Sequence, residues 1–132
     1  MALIPTRVHG VLDYLSATAL FLAPRALGWR PELTRPLAMA GAATVAYSVA
    51  TRYEWGALNQ LSMRQHLACD AVQGAGFCMA AALLDRESAD VRWALAGYGL
   101  FALAAAALTE RDSPAARSID WEQRRRLMTE AV

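Results

Sequence analysis

Arg7-Val8-His9-Gly10-Val11-Leu12-Asp13 opens the first apolar run of this chain, and Arg64-Gln65-His66-Leu67-Ala68-Cys69-Asp70 opens the third. Both read Arg-x-His-x-x-x-Asp, and each of the three matched residues recurs 57 positions later. Residues four apart on a helix share a face, so His9 stands beside Asp13 and His66 beside Asp70. A polar triad repeated at the mouth of two apolar runs reads as one structural unit used twice.

The correspondence continues past the triads. Ser16 matches Gln73 in the same register. One residue later in register, Leu37 matches Leu95, Ala38 matches Ala96, Gly41 matches Gly99 and Thr51 matches Thr109. The unit is therefore a helical hairpin, with repeat 1 at about 4–56 and repeat 2 at about 61–112. An even number of crossings per unit gives both copies the same orientation. That predicts a pseudo-two-fold axis along the membrane normal.

Four apolar runs carry this reading: Val8–Leu22, Leu37–Thr51, Met63–Leu84 and Trp93–Leu108. The second and fourth contain no charged residue, whereas a helix of a soluble bundle shows a charged face. A spanning helix needs ~20 apolar residues, and the shorter runs reach that length with their flanks. The expected fold is all-α: a four-transmembrane-helix bundle over residues 1–112, followed by a polar, amphipathic tail over 113–132. The segment 24–36, with three prolines and a glycine, reads as a loop or a bent helix end. His9 and Asp13 interrupt the apolar core that a cleaved signal would have, so the first run reads as a retained spanning helix.

Composition agrees. Hydrophobic residues make up 56% of the chain, and 13 basic residues, all arginine, oppose 12 acids for a net charge of +1. No net field calls for nucleic acid. Trp29, Trp55, Trp93 and Trp121 fall at run ends, as interfacial anchors do. Cys69 and Cys78 would lie ~13 Å apart on one helix, too far for a disulfide, and read as small buried apolar residues. The face holding the termini and the 52–64 loop carries Arg7, Arg52, Arg64, Arg111, Arg117, Arg124, Arg125 and Arg126. The other carries Arg25, Arg30, Arg35, Arg86 and Arg92, which favours both termini in the cytoplasm.

With Ile4-Pro5-Thr6 ahead of the first triad and a second triad one hairpin on, residues 4–112 resemble the SPW-repeat class of small bacterial integral membrane proteins. The Ser-Pro-Trp of that class falls here at Ala23-Pro24-Arg25, and the second copy has Ala81 at the proline position. The resemblance implies four transmembrane helices in the bacterial cytoplasmic (inner) membrane, and no enzyme activity.

Ionisable groups at membrane depth are expensive, ~2.5–3.5 kcal/mol for an Asp or Arg at a helix centre. Arg7 and Arg64 can snorkel to the headgroups or reach across the helix pair. Asp13 and Asp70 must face protein, with His9 and His66 as nearest partners and Ser16 and Gln73 extending the polar face. The first and third helices should meet at the axis. The leading function is a structural staple between the hairpins, with interhelical contacts averaging ~0.6 kcal/mol. The alternatives are a proton or ion path, a small-ligand site, a metal or haem site built from His9, His66, Asp13 and Asp70, or an accessory subunit of a larger membrane complex. Expected partners are the lipid bilayer and a second copy or larger complex. No cofactor is called for, and no nucleophile elbow, P-loop, HExxH or dinucleotide motif is present.

Overall fold

A computed structural model describes residues 3–130. The chain forms α1 (Thr6–Ala26), α2 (Pro31–Ala50), α3 (Met63–Leu83), α4 (Ala89–Leu108) and α5 (Pro114–Glu130). Among the described residues there is no strand, only isolated bridges pairing Ile4 with Thr109 and Leu61 with Thr51. The fold is all-helical, as expected, with the tail itself forming a fifth helix.

Local chemistry sets the helix ends. Ser62 accepts from the Gln65 backbone N–H while the Gln65 side chain accepts from the Ser62 N–H, a capping box that starts α3. The Ser88 hydroxyl caps α4. Pro31 occupies the first turn of α2, where its missing N–H is not needed. Gly28, at φ 69°, takes the left-handed conformation that closes α1. The break expected over 24–36 shrinks to residues 27–30, because Pro24 and Pro36 lie inside α1 and α2. Each sits near the end of its helix, where few backbone bonds are at stake.

Helix α1 packs on α2 and α3 on α4, and α2 makes the close backbone contact with α3 between the two hairpins. Helices α1 and α3 therefore meet through long side chains rather than along their backbones. Corresponding positions pack alike. Leu20 and Phe77 are both in the core, as are Leu37 and Leu95, with Ala81 and Val91 completing it. Gly41 approaches Ala17, and Gly99 approaches Gly74 so closely that a Cβ on Gly99 would lie 2.6 Å from the Gly74 carbonyl oxygen. At the opposite end from the triads, Arg30 of the first hairpin pairs with Glu87 of the second, 57 residues on.

The outer surface is apolar. Val8, Val11, Leu15 and Leu22 of α1, Met39 of α2, Val72 and Met79 of α3, and Leu100 and Phe101 of α4 are exposed. By length and composition, α4 is the one described helix apolar enough to cross a membrane; the other four carry Arg, His, Asp, Glu, Gln or Pro along their length. Trp55, Trp93 and Trp121 are exposed, and Trp29 is half-buried against the core. Cys69 lies exposed rather than buried, and Cys78 is half-buried.

A Gly99→Ala substitution should cost ~1–3 kcal/mol by overpacking the α3–α4 contact. Gly97→Ala, which meets nothing within 4 Å, should be neutral or slightly stabilising. Thermal unfolding of both variants measures the difference.

Candidate functional site

Helix α1 delivers His9 and Asp13, and α3 delivers His66 and Asp70, to one buried point. His9 and His66 are 1% and 0% exposed, and Asp13 and Asp70 are 6% and 7% exposed. The two Nε2 atoms lie 3.2 Å apart. His9 Nε2 is 2.9 Å from Asp70 Oδ2 and 3.3 Å from Asp13 Oδ1. His66 Nε2 is 3.1 Å from Asp13 Oδ2 and 3.3 Å from Asp70 Oδ2. Each histidine is thus nearer the carboxylate of the other hairpin than its helical neighbour, so the cluster joins the two hairpins.

The other ring nitrogens are held by two matched threonines. Thr51 Oγ1 donates to the Tyr47 carbonyl (2.6 Å), and Thr109 Oγ1 donates to the Ala105 carbonyl (2.6 Å). With its proton so used, each hydroxyl accepts from a histidine: His66 Nδ1 donates to Thr51 (2.9 Å) and His9 Nδ1 to Thr109 (2.8 Å). This network places a proton on Nδ1 of each ring and turns both Nε2 atoms toward the carboxylates. These bonds also cross between hairpins, as do the Ile4–Thr109 and Leu61–Thr51 bridges beside them.

The carboxylates are held mainly from the first hairpin. Asp13 Oδ2 accepts from Ser48 (3.2 Å) and from the Tyr53 hydroxyl (3.1 Å). Asp70 Oδ1 accepts from the Tyr47 hydroxyl at 2.6 Å. Burial, with the Asp13 charge beside it, pushes the Tyr53 hydroxyl well above the ordinary phenol range and keeps it a donor. In register, Tyr47 and Ser48 correspond to Ala105 and Ala106. The four groups at the centre and the threonines behind the histidines are duplicated, but the hydroxyls that hold the carboxylates are not. Among the described residues no buried side-chain polar atom lacks a partner.

Of the eight residues expected at the cluster, four form it. Ser16 and Gln73 instead line a void of about 20 Å³ that borders His9, Asp13 and Asp70, and Gln73 donates to Thr44 (3.1 Å) and Tyr98 (3.2 Å). Arg7 and Arg64 are exposed and take no part. Two residues before a histidine on a helix is about 200° around the axis, which turns both guanidiniums outward. Residues not anticipated at the site are Thr44, Tyr47, Ser48, Thr51, Tyr53, Tyr98 and Thr109. Thr44, Tyr47, Ser48 and Thr51 follow i, i+3, i+4, i+7 spacing in a charge-free run, a polar stripe that marks an inward face.

No protein-family model, no curated protein and no solved structure matches the chain. The site is therefore read from its own geometry.

Removing one carboxylate leaves buried groups without their partner. Asp70→Ala or Asp13→Ala should cost ~3–5 kcal/mol of stability. Arg64→Ala should stay within ~0.5 kcal/mol of the parent chain. Thermal unfolding of the three variants checks the contrast.

Proposed function

We propose that this chain is a four-span protein of the bacterial cytoplasmic membrane, a divergent relative of the SPW-repeat class. In this reading two tandem hairpins are clamped by the buried His–Asp cluster, and both termini lie in the cytoplasm. The observation that carries it is the inverted polarity of the helices. On α1 to α4, the exposed positions between the terminal charged residues are apolar or uncharged, and the two aspartates within those stretches face inward. Water rewards the opposite arrangement, and lipid rewards this one.

Length supports the reading. The four helices have 21, 20, 21 and 20 residues. At 1.5 Å per residue each is about 30 Å long, the thickness of a bilayer's hydrocarbon core. Side chains that neutralise one another inside the bundle explain how α1 and α3 can span despite their polar residues. Support for a pseudo-two-fold axis comes from the cluster. Residues at equivalent positions touch only where an axis passes between them. His9 meets its equivalent His66 there.

The reading assigns the cluster an architectural role and assigns no catalysis. Lipid, a second copy or a larger membrane complex would cover the apolar exterior.

In cell fractionation the full chain should stay with the membranes after alkaline carbonate washing and require detergent for release. Recovery of folded chain in the detergent-free supernatant would overturn the proposal. A cysteine placed at Arg86, in a background with Cys69 and Cys78 replaced by alanine, should react with an impermeant thiol reagent outside intact spheroplasts. One placed at Asp112 should not.

A further inference from the structure

The clamp has an unusual property: each histidine Nε2 lies within 3.3 Å of an oxygen of both carboxylates. We infer that His9 Nε2, His66 Nε2 and one carboxylate oxygen each from Asp13 and Asp70 form a binding site for a divalent first-row transition-metal ion. The inference rests on the reading of this cluster as the joint between hairpins and adds what holds the joint together.

Three observations carry it. The first is the protonation pattern. The threonine hydroxyls take an Nδ1–H from each ring, so both Nε2 atoms are left facing two carboxylates at 2.9–3.3 Å. A proton on one Nε2 serves a single histidine, whereas a metal ion between the rings engages both nitrogens and both carboxylates at once. Two protonated rings would place like charges with their Nε2 atoms 3.2 Å apart. Neutral imidazoles oriented through an Nδ1–H bond to a fixed acceptor are the usual form in which histidine ligates a metal.

The second is the spacing. Zinc-type bonds of ~2.0–2.1 Å in a tetrahedron leave ligand atoms ~3.3–3.4 Å apart. The separations among His9 Nε2, His66 Nε2, Asp70 Oδ2 and the two oxygens of Asp13 are 2.9, 3.1, 3.2, 3.3 and 3.3 Å. One ligand atom from every residue lies within 4.8 Å of all the others. The third is charge. Two carboxylates balance one divalent ion, so a buried centre with two neutral histidines is uncharged overall. Arg7 and Arg64, which would oppose a cation, point away.

The donor set selects the ion. Two imidazole nitrogens and two carboxylate oxygens with no thiolate suit Zn²⁺, Fe²⁺ or Mn²⁺ and disfavour Cu⁺. The void of about 20 Å³ beside His9, Asp13 and Asp70 holds one water-sized occupant, a place for a fifth, exchangeable ligand.

The test uses the full chain, carrying an affinity tag free of histidine and purified in detergent. Metal content is read by mass spectrometry. The chain is then stripped with chelator and titrated with Co²⁺. About one divalent ion per chain and intense visible bands of four- or five-coordinate cobalt are expected. Both should be lost in His66→Gln and in Asp13→Asn/Asp70→Asn, and kept in Arg64→Ala. Chain that is helical by circular dichroism yet binds neither Zn²⁺ nor Co²⁺ stoichiometrically would overturn the metal site and leave the clamp reading standing. Cobalt binding with a weak octahedral spectrum, unchanged in His66→Gln, would show an adventitious ion only and likewise overturn it. Stoichiometric metal in a chain that proves soluble without detergent would sink the membrane proposal and support this one.

Discussion

Two carboxylates held 6–7% exposed among helices dominate this molecule, because such charges persist only where something neutralises them. Everything near the point where the hairpins meet follows from that demand. Each Asp turns inward, each His reaches across to the opposite carboxylate, and each Thr closes the ring behind it. The exterior is then free to be apolar, since the acids are spent on the interior. The same demand explains why α1 and α3 share a centre without packing backbone to backbone: imidazoles and carboxylates fill the space between them.

Much of this was legible in the chain, and the reasons are physical. Fixed spacing between the triads made the duplication visible, and helical periodicity placed His9 over Asp13 and His66 over Asp70. What periodicity within one helix cannot show is which partner each side chain chooses across the gap. The exchange of carboxylates between hairpins, and the cross-hairpin bonds from His9 to Thr109 and His66 to Thr51, became apparent only in three dimensions. Thr51 and Thr109 were visible as matched positions, but nothing local tied them to histidines 15 and 100 residues away.

The misreadings share one cause. Arg7 and Arg64 belong to the repeated pattern yet stand outside the cluster, because a pattern records residues and not the face they occupy. The prolines that suggested a wide break lie close enough to helix ends to be absorbed. By apolarity α4 alone qualifies as a membrane span, while α1 and α3 turn His9, Asp13, His66 and Asp70 inside, a placement that no average over a segment reveals.

The bond from His9 to Thr109 joins residues 100 positions apart, almost the full length of the helical body. A ribosome makes the first histidine long before its threonine exists. Until the final hairpin emerges, the first holds an acid and an imidazole with half their companions missing. Closure of the centre thus waits for the end of α4. A truncated product lacking the end of α4 would carry an open, charged seam, the kind of defect by which quality-control proteases distinguish unfinished chains from complete ones.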